Sequence, residues 1–126
     1  MSDRISVLVV DDFSTMRRII KKILTGLGIS NIIEADNGSK AWRILNEEKA
    51  DLVICDWNMP EMTGRDLLEK VRAKEELAEI PFIMVTAESK EKIAIEGDKA
   101  HLTSYMGKPF KPKDLEEKLR DVLSGF

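Results

Sequence analysis

A single cysteine and a single histidine occur among the 126 residues, and each scarcity closes off a kind of chemistry. Cys55 has no partner for an internal disulfide and sits at the end of the apolar run LVIC, so it reads as a reduced packing residue rather than a nucleophile. His101 has no second histidine, cysteine or carboxylate at ligand spacing, which excludes a histidine-based metal centre and leaves a surface or helix-end residue. No apolar run approaches the roughly 18 residues of a spanning helix, and the opening MSDRI lacks the apolar stretch of a signal peptide. No membrane association and a cytoplasmic location are therefore expected. Massed positive charge is missing too: 20 Lys and Arg stand against 23 Asp and Glu, a net charge of −3, and the cations are scattered. That argues against nucleic acid as a partner. No repeat, low-complexity tract or linker interrupts the chain, so residues 1–126 are expected to form one domain.

What the sequence does contain is a core. With 43% hydrophobic and 34% charged residues it suits a compact fold. Strand-length apolar runs rich in β-branched residues recur at ISVLVV (5–10), IIEA (32–35), DLVIC (51–55), IPFIMV (80–85) and LTSYM (102–106), with helix-length amphipathic segments between them. In the first helix Met16, Ile19, Ile20, Ile23, Leu24 and Leu27 share one face, with Ser14 or Thr15 as the expected cap and Gly26 and Gly28 as stop signals. Shorter helices are carried by Ala41, Ile44 and Leu45 and by Leu67, Leu68 and Val71. The last contains Leu115, Leu119, Val122 and Leu123 after Pro112 at its opening turn. AKEELAEI (73–80) reads as a helix end and loop, and the helix before the fifth strand is weak.

Strands one, three and four are nearly continuously apolar, as a parallel sheet covered on both faces requires. Strand–helix alternation with short connections predicts a doubly wound α/β fold with right-handed crossovers. Its functional crevice lies beyond the carboxyl ends of the strands. Asp11 and Asp12 follow strand one, Asp56 follows strand three, Thr86 ends strand four and Lys108 follows strand five, so all converge on one edge. Three carboxylates held together repel one another unless a cation joins them, and an all-oxygen set suits Mg²⁺. Taken alone, Asp11 and Asp12 read equally well as helix N-cap carboxylates. Joined to Asp56 and Lys108 they form a site in which Asp56 can act as a carboxylate nucleophile toward a phosphoryl group, with Lys108 and the Thr86 hydroxyl as donors. Tyr105 has an apolar body and a polar tip; the residues alone favour a core position over a mobile one. Trp42, Trp57 and the methionines read as packing.

The segments VVDD, FSTMRRI, ICDWNMPEMTG, MVTAE and GKPF, in this order and at these separations, resemble the receiver domain of two-component response regulators, and DFSTMRRI, DWNMP and MVTAE resemble its chemotaxis members in particular. The resemblance covers essentially the whole chain. It implies a flavodoxin-like five-stranded parallel sheet of order 2-1-3-4-5, an order the residues alone do not give. It implies Asp56 as phosphoacceptor and Mg²⁺ held by the side chains of Asp12 and Asp56, the backbone carbonyl of Asn58 and, through water, Asp11. Lys108 and Thr86 would contact the phosphoryl group, Tyr105 would turn inward as Thr86 moves, and Asn58 and Glu88 would tune the lifetime of the phosphorylated form. The Lys108–Pro109 bond is expected to be cis. The implied partners are a histidine kinase resembling CheA and a flagellar motor switch protein; a dedicated phosphatase is left open. The implied form is a monomer that phosphorylates and dephosphorylates itself and is not a turnover enzyme.

The segment KIAIEGDKAHLTS (92–104) departs from the family pattern: it lacks the usual alanine-rich helix, and His101 stands where glycine is common. Gly97 should weaken that helix by roughly 1 kcal/mol against alanine. This touches partner identity rather than phosphorylation. A phosphatase of the haloacid dehalogenase type would need an acid at position 58, which is Asn58. An FMN carrier would need a Ser/Thr/Gly phosphate loop where this chain has DDFST. An interaction module that is not phosphorylated would be expected to have lost a site residue, and all are present. The serious competitor is a receiver in a phosphorelay outside chemotaxis.

Overall fold

A computed structural model of the chain describes residues 5–87 and 102–124. In chain order its elements are β1 (Ser6–Val10), α1 (Ser14–Gly26), β2 (Asn31–Ala35), α2 (Gly38–Glu47), β3 (Leu52–Cys55), α3 (Gly64–Ala73), a 3-10 turn (Glu75–Leu77), β4 (Phe82–Thr86), β5 (Ser104–Gly107) and α4 (Pro112–Leu123). The strands form one parallel sheet in the order β2-β1-β3-β4-β5. The segment 92–104 departing from the family pattern falls mostly outside the described residues, as do Glu88, Gly97 and His101.

The apolar runs sort themselves by position in the sheet. β3 and β4 are buried along their whole length and β1 from Val7 onward, whereas β2 and β5 at the two edges are only partly covered. Side chains alternate across the pleat, so each central strand feeds two cores. Leu8, Val10, Val53, Cys55, Phe82 and Met84 pack under α2 and α3 with Ile44, Leu67, Leu68 and Val71. Val7, Val9, Ile54, Ile83 and Val85 pack under α1 and α4 with Ile20, Leu24, Leu115 and Leu119. Each fully buried Leu or Ile contributes about 1.5–3 kcal/mol relative to exposure. The continuous hydrophobicity of the central strands is the direct consequence of having helices on both faces.

Local chemistry sets the helix ends. Asn37 accepts the Lys40 N–H at 2.8 Å to cap α2, and Thr63 with Asp66 forms a reciprocal capping box at the start of α3. Pro112 opens α4. For α1 the expected Ser14 or Thr15 cap is corrected: Ser14 is already helical, and the N-cap is Phe13, with no side-chain cap bond. The turn is organised one step earlier, where Asp11 Oδ1 accepts the Phe13 N–H at 2.9 Å. At the other end of α1, Gly28 takes φ 87°, a conformation glycine adopts without a Cβ penalty.

Candidate functional site

The register places the last residues of β1 and β3 side by side, Val10 beside Cys55, while β4 runs two residues further, with Met84 beside Cys55 and Thr86 at its end. The residues that follow therefore gather at the carboxyl edge. Asp56 donates its backbone N–H to Val10 carbonyl at 2.9 Å, and Asp11 donates its own to Ala35 carbonyl at 3.1 Å, so both carboxylate-bearing residues are anchored by extensions of the sheet ladder. Lys108 is delivered from the end of β5 and tied to β4 through its N–H to the Thr86 carbonyl at 2.7 Å. The Lys108–Pro109 bond is cis.

Across the crevice the Lys108 ammonium donates to Asp11 Oδ2 at 3.0 Å and reaches Asp56 Oδ2 at 3.4 Å. Asp11 and Asp56 are buried, at 1% and 6% exposure. Burial is the main influence raising the Asp56 pKa; Lys108 pulls the other way, Asp11 adds to the rise, and the Asn58 N–H at 3.3 Å favours the charged form. For Lys108, burial acts against the charge, but the hydrogen bond and charge of Asp11, with Asp56 behind them, outweigh it and raise the pKa. Burial, then the two carboxylates, pushes the Cys55 thiol well above its ordinary range, so this cysteine stays protonated and inert beside the site.

Asp12 completes the acidic group: one oxygen from each of Asp11, Asp12 and Asp56 lies within 4.8 Å of the others. Asp12 Oδ1 is buried and meets no hydrogen-bond donor among the described residues. A buried carboxylate oxygen without a partner is costly, and a cluster of three carboxylates offering only oxygen ligands is matched by a hard divalent cation.

The other residues singled out from the sequence fall at different distances from this centre. Thr86 is fully buried as the last residue of β4. Asn58 is exposed just beyond Asp56. Tyr105 is partly buried on β5, opposite Met84 and against the core under α2 and α3, a position between the packed and the solvent-facing alternatives. Trp57, despite following Asp56, is buried in the same core. Two residues close to the site were not evident in the sequence. Arg17 donates from Nη1 to the Asp11 carbonyl at 2.7 Å; its sequence signal is only a pair of arginines on a helix. Gly64 sits so close to the end of β3 that a Cβ there would lie 2.1 Å from the Asp56 carbonyl oxygen. A glycine at a helix start eight residues after Asp56 was the available clue.

Five parallel strands in this order, with acidic groups and a lysine on the carboxyl edge, define a receiver-type signalling fold. A family model for the response regulator receiver domain matches residues 7–120, and the chain belongs to that family. Within it the chain is similar to the chemotaxis proteins named CheY. It is 50% identical over 118 residues to the chemotaxis protein CheY homolog of Campylobacter jejuni, covering 93% of this chain and 91% of that one. It is 49% identical over 116 residues to chemotaxis protein CheY of Pseudomonas aeruginosa, covering 92% and 94%. Among solved structures, chemotaxis response regulator CheY4 of Vibrio cholerae superposes with a TM-score of 0.87 at 30% identity, over 94% of this chain and 98% of that one. The receiver domain of sensor histidine kinase PA1611 from Pseudomonas aeruginosa, described with magnesium coordinated in its active site cleft, superposes with a TM-score of 0.81 at 25% identity, over 92% and 94%.

Proposed function

We propose that the chain is a phosphorylation-activated response regulator: Asp56 accepts a phosphoryl group from the phosphohistidine of a kinase resembling CheA, and the phosphorylated form signals to the flagellar motor switch. The observation that carries this reading is the Lys108 ammonium set between Asp11 and Asp56 on the sheet edge. An Asp56 carboxylate oxygen attacks phosphorus, the P–N bond breaks, and its electron pair returns to the leaving imidazole nitrogen, leaving an acyl phosphate. Lys108 turns from the carboxylate to the phosphoryl oxygens, and the Thr86 hydroxyl donates to them. In hydrolysis, water attacks phosphorus, releases its proton, and the bond to the Asp56 oxygen breaks. The protein thus acts on itself rather than turning over an external substrate.

Asp12 and Asp56 through their side chains, Asn58 through its carbonyl and Asp11 through water would hold Mg²⁺; the orphaned Asp12 oxygen and the all-oxygen donor set support that assignment. When bound, the ion supplies Lewis-acid neutralisation of phosphoryl oxygens. Thr86 pairs with Gly107 on β5, two residues from Tyr105, so movement at Thr86 has a short route to that ring. Tyr105 is the coupler in this reading, and Asn58 and Glu88 tune the phosphoryl lifetime. A cytoplasmic monomer is the form proposed; no helix among the described residues is long and apolar enough to cross a membrane. The similarity to CheY proteins supports a chemotaxis output over a phosphorelay outside it.

The test is phosphoryl uptake from a small acyl phosphate donor, followed by intact mass. Wild type with Mg²⁺ gains one phosphoryl group; chelation of the ion or Asp56→Asn abolishes the gain. Full labelling of Asp56→Asn at the wild-type rate would refute the assignment. Capture of a motor switch protein by the phosphorylated form, and not of a phosphotransfer domain, is the expected result for output.

A further inference from the structure

Asp11 is held at every polar atom. Its N–H donates to the Ala35 carbonyl, its Oδ1 accepts from the Phe13 N–H, its Oδ2 accepts from Lys108, and its own carbonyl accepts from Arg17 Nη1 at 2.7 Å. The last of these contacts bears on the next residue. The Asp11 carbonyl belongs to the planar peptide joining Asp11 to Asp12, so whatever fixes that oxygen fixes the plane from which the Asp12 side chain departs. Asp12 carries the buried carboxylate oxygen with no donor. Arg17 is in turn braced: its Nε donates to Glu34 Oε1 at 3.1 Å on β2, and the guanidinium side chain is only 18% exposed. Because Phe13, the N-cap of α1, makes no side-chain cap bond, the usual device for fixing such a turn from the helix side is missing. Arg17, from the first turn of α1, occupies that role by reaching backward.

We propose that Arg17 is a positioning residue for the cation site, holding the Asp11 carbonyl and Glu34 at once so that the 11–12 peptide presents the Asp12 carboxylate. The inference rests on the reading of Asp11, Asp12 and Asp56 as a Mg²⁺ site. Its sign makes it separable from simple charge effects. A guanidinium close to the acidic group repels a divalent cation, so deleting its charge should by itself tighten binding. Loss of orientation weakens it, as removal of groups that orient metal ligands commonly does by about tenfold or more.

Mg²⁺ alone, titrated calorimetrically into full-length protein, decides the matter. Arg17→Ala is expected to bind about tenfold more weakly than wild type. Arg17→Lys keeps the charge but cannot grip both partners; with no relief of the repulsion to offset it, its weakening relative to wild type is a measure of geometry alone. Lys21 is the control: it pairs with the same Glu34 at 3.8 Å from the same helix, is 52% exposed, and carries the same charge. Lys21→Ala should leave affinity at or slightly above the wild-type value. Arg17→Ala binding as tightly as wild type, or Lys21→Ala weakening it equally, would overturn the proposal while leaving the metal reading intact. Wild type taking up no Mg²⁺ would overturn both.

Discussion

Burial raises the Asp56 pKa against the pull of Lys108, so the folded protein keeps a proton on this group at pH values where the unfolded chain has lost it. Between the two pKa values unfolding releases a proton, and stability falls as pH rises; above that window the cost of the buried charge is fully present. Without Mg²⁺, Asp56→Asn should therefore melt at a higher temperature than wild type at pH 7. The gap should shrink as the solution is acidified through the carboxylate range, because wild type then protonates the group. Adding Mg²⁺ should raise the wild-type melting temperature and leave the variant nearly unmoved. A variant less stable than wild type at pH 7 in chelator would mean that the Lys108 contact outweighs burial.

At the scale of elements, the close approach of α3 to the strand end is the tightest constraint. Gly64 donates its N–H to the Trp57 carbonyl at 2.9 Å, and there is no room for a side chain before the Asp56 backbone. Gly64→Ala should cost about 3 kcal/mol in urea denaturation and slow phosphoryl uptake, since relief requires moving the residue that carries the carboxylate. Loss of stability with uptake unchanged would show that α3 yields instead of the strand. The same helix illustrates what was legible in advance. Its apolar spacing, the strand runs and the placement of Asp11, Asp12, Asp56, Thr86 and Lys108 on one edge follow from local pattern and from the rule that α/β sheets work at their carboxyl ends. The strand order came from family resemblance, because hydrophobic pattern does not specify which neighbours pair. The start of α1 was misplaced: Ser14 has a capping side chain, but the preceding Asx-type turn at Asp11 had already set the boundary. Arg17 and Gly64 were missed for a related reason. Their roles are contacts with backbone carbonyls, which no residue pattern advertises.

For the molecule as a whole, the sheet divides the interior into two apolar layers without shared side chains. Ile44 lies in one layer and Ile20 in the other. Ile44→Val and Ile20→Val should each cost about 1 kcal/mol, and the double variant about 2 kcal/mol. A double variant departing from the sum by more than about 0.5 kcal/mol would reveal coupling through the sheet. The contact between Lys108 and Asp11 joins residues 97 apart in sequence, and this has a consequence for how the protein matures. Closing so long a loop carries a large entropic penalty, met only once the intervening strands are in register. The ammonium is therefore expected to reach its carboxylates late, after the rest of the scaffold exists. If Asp56 is the phosphoacceptor proposed above, partly folded chains should take up no phosphoryl group, and readiness to receive a signal would double as a certificate of complete folding.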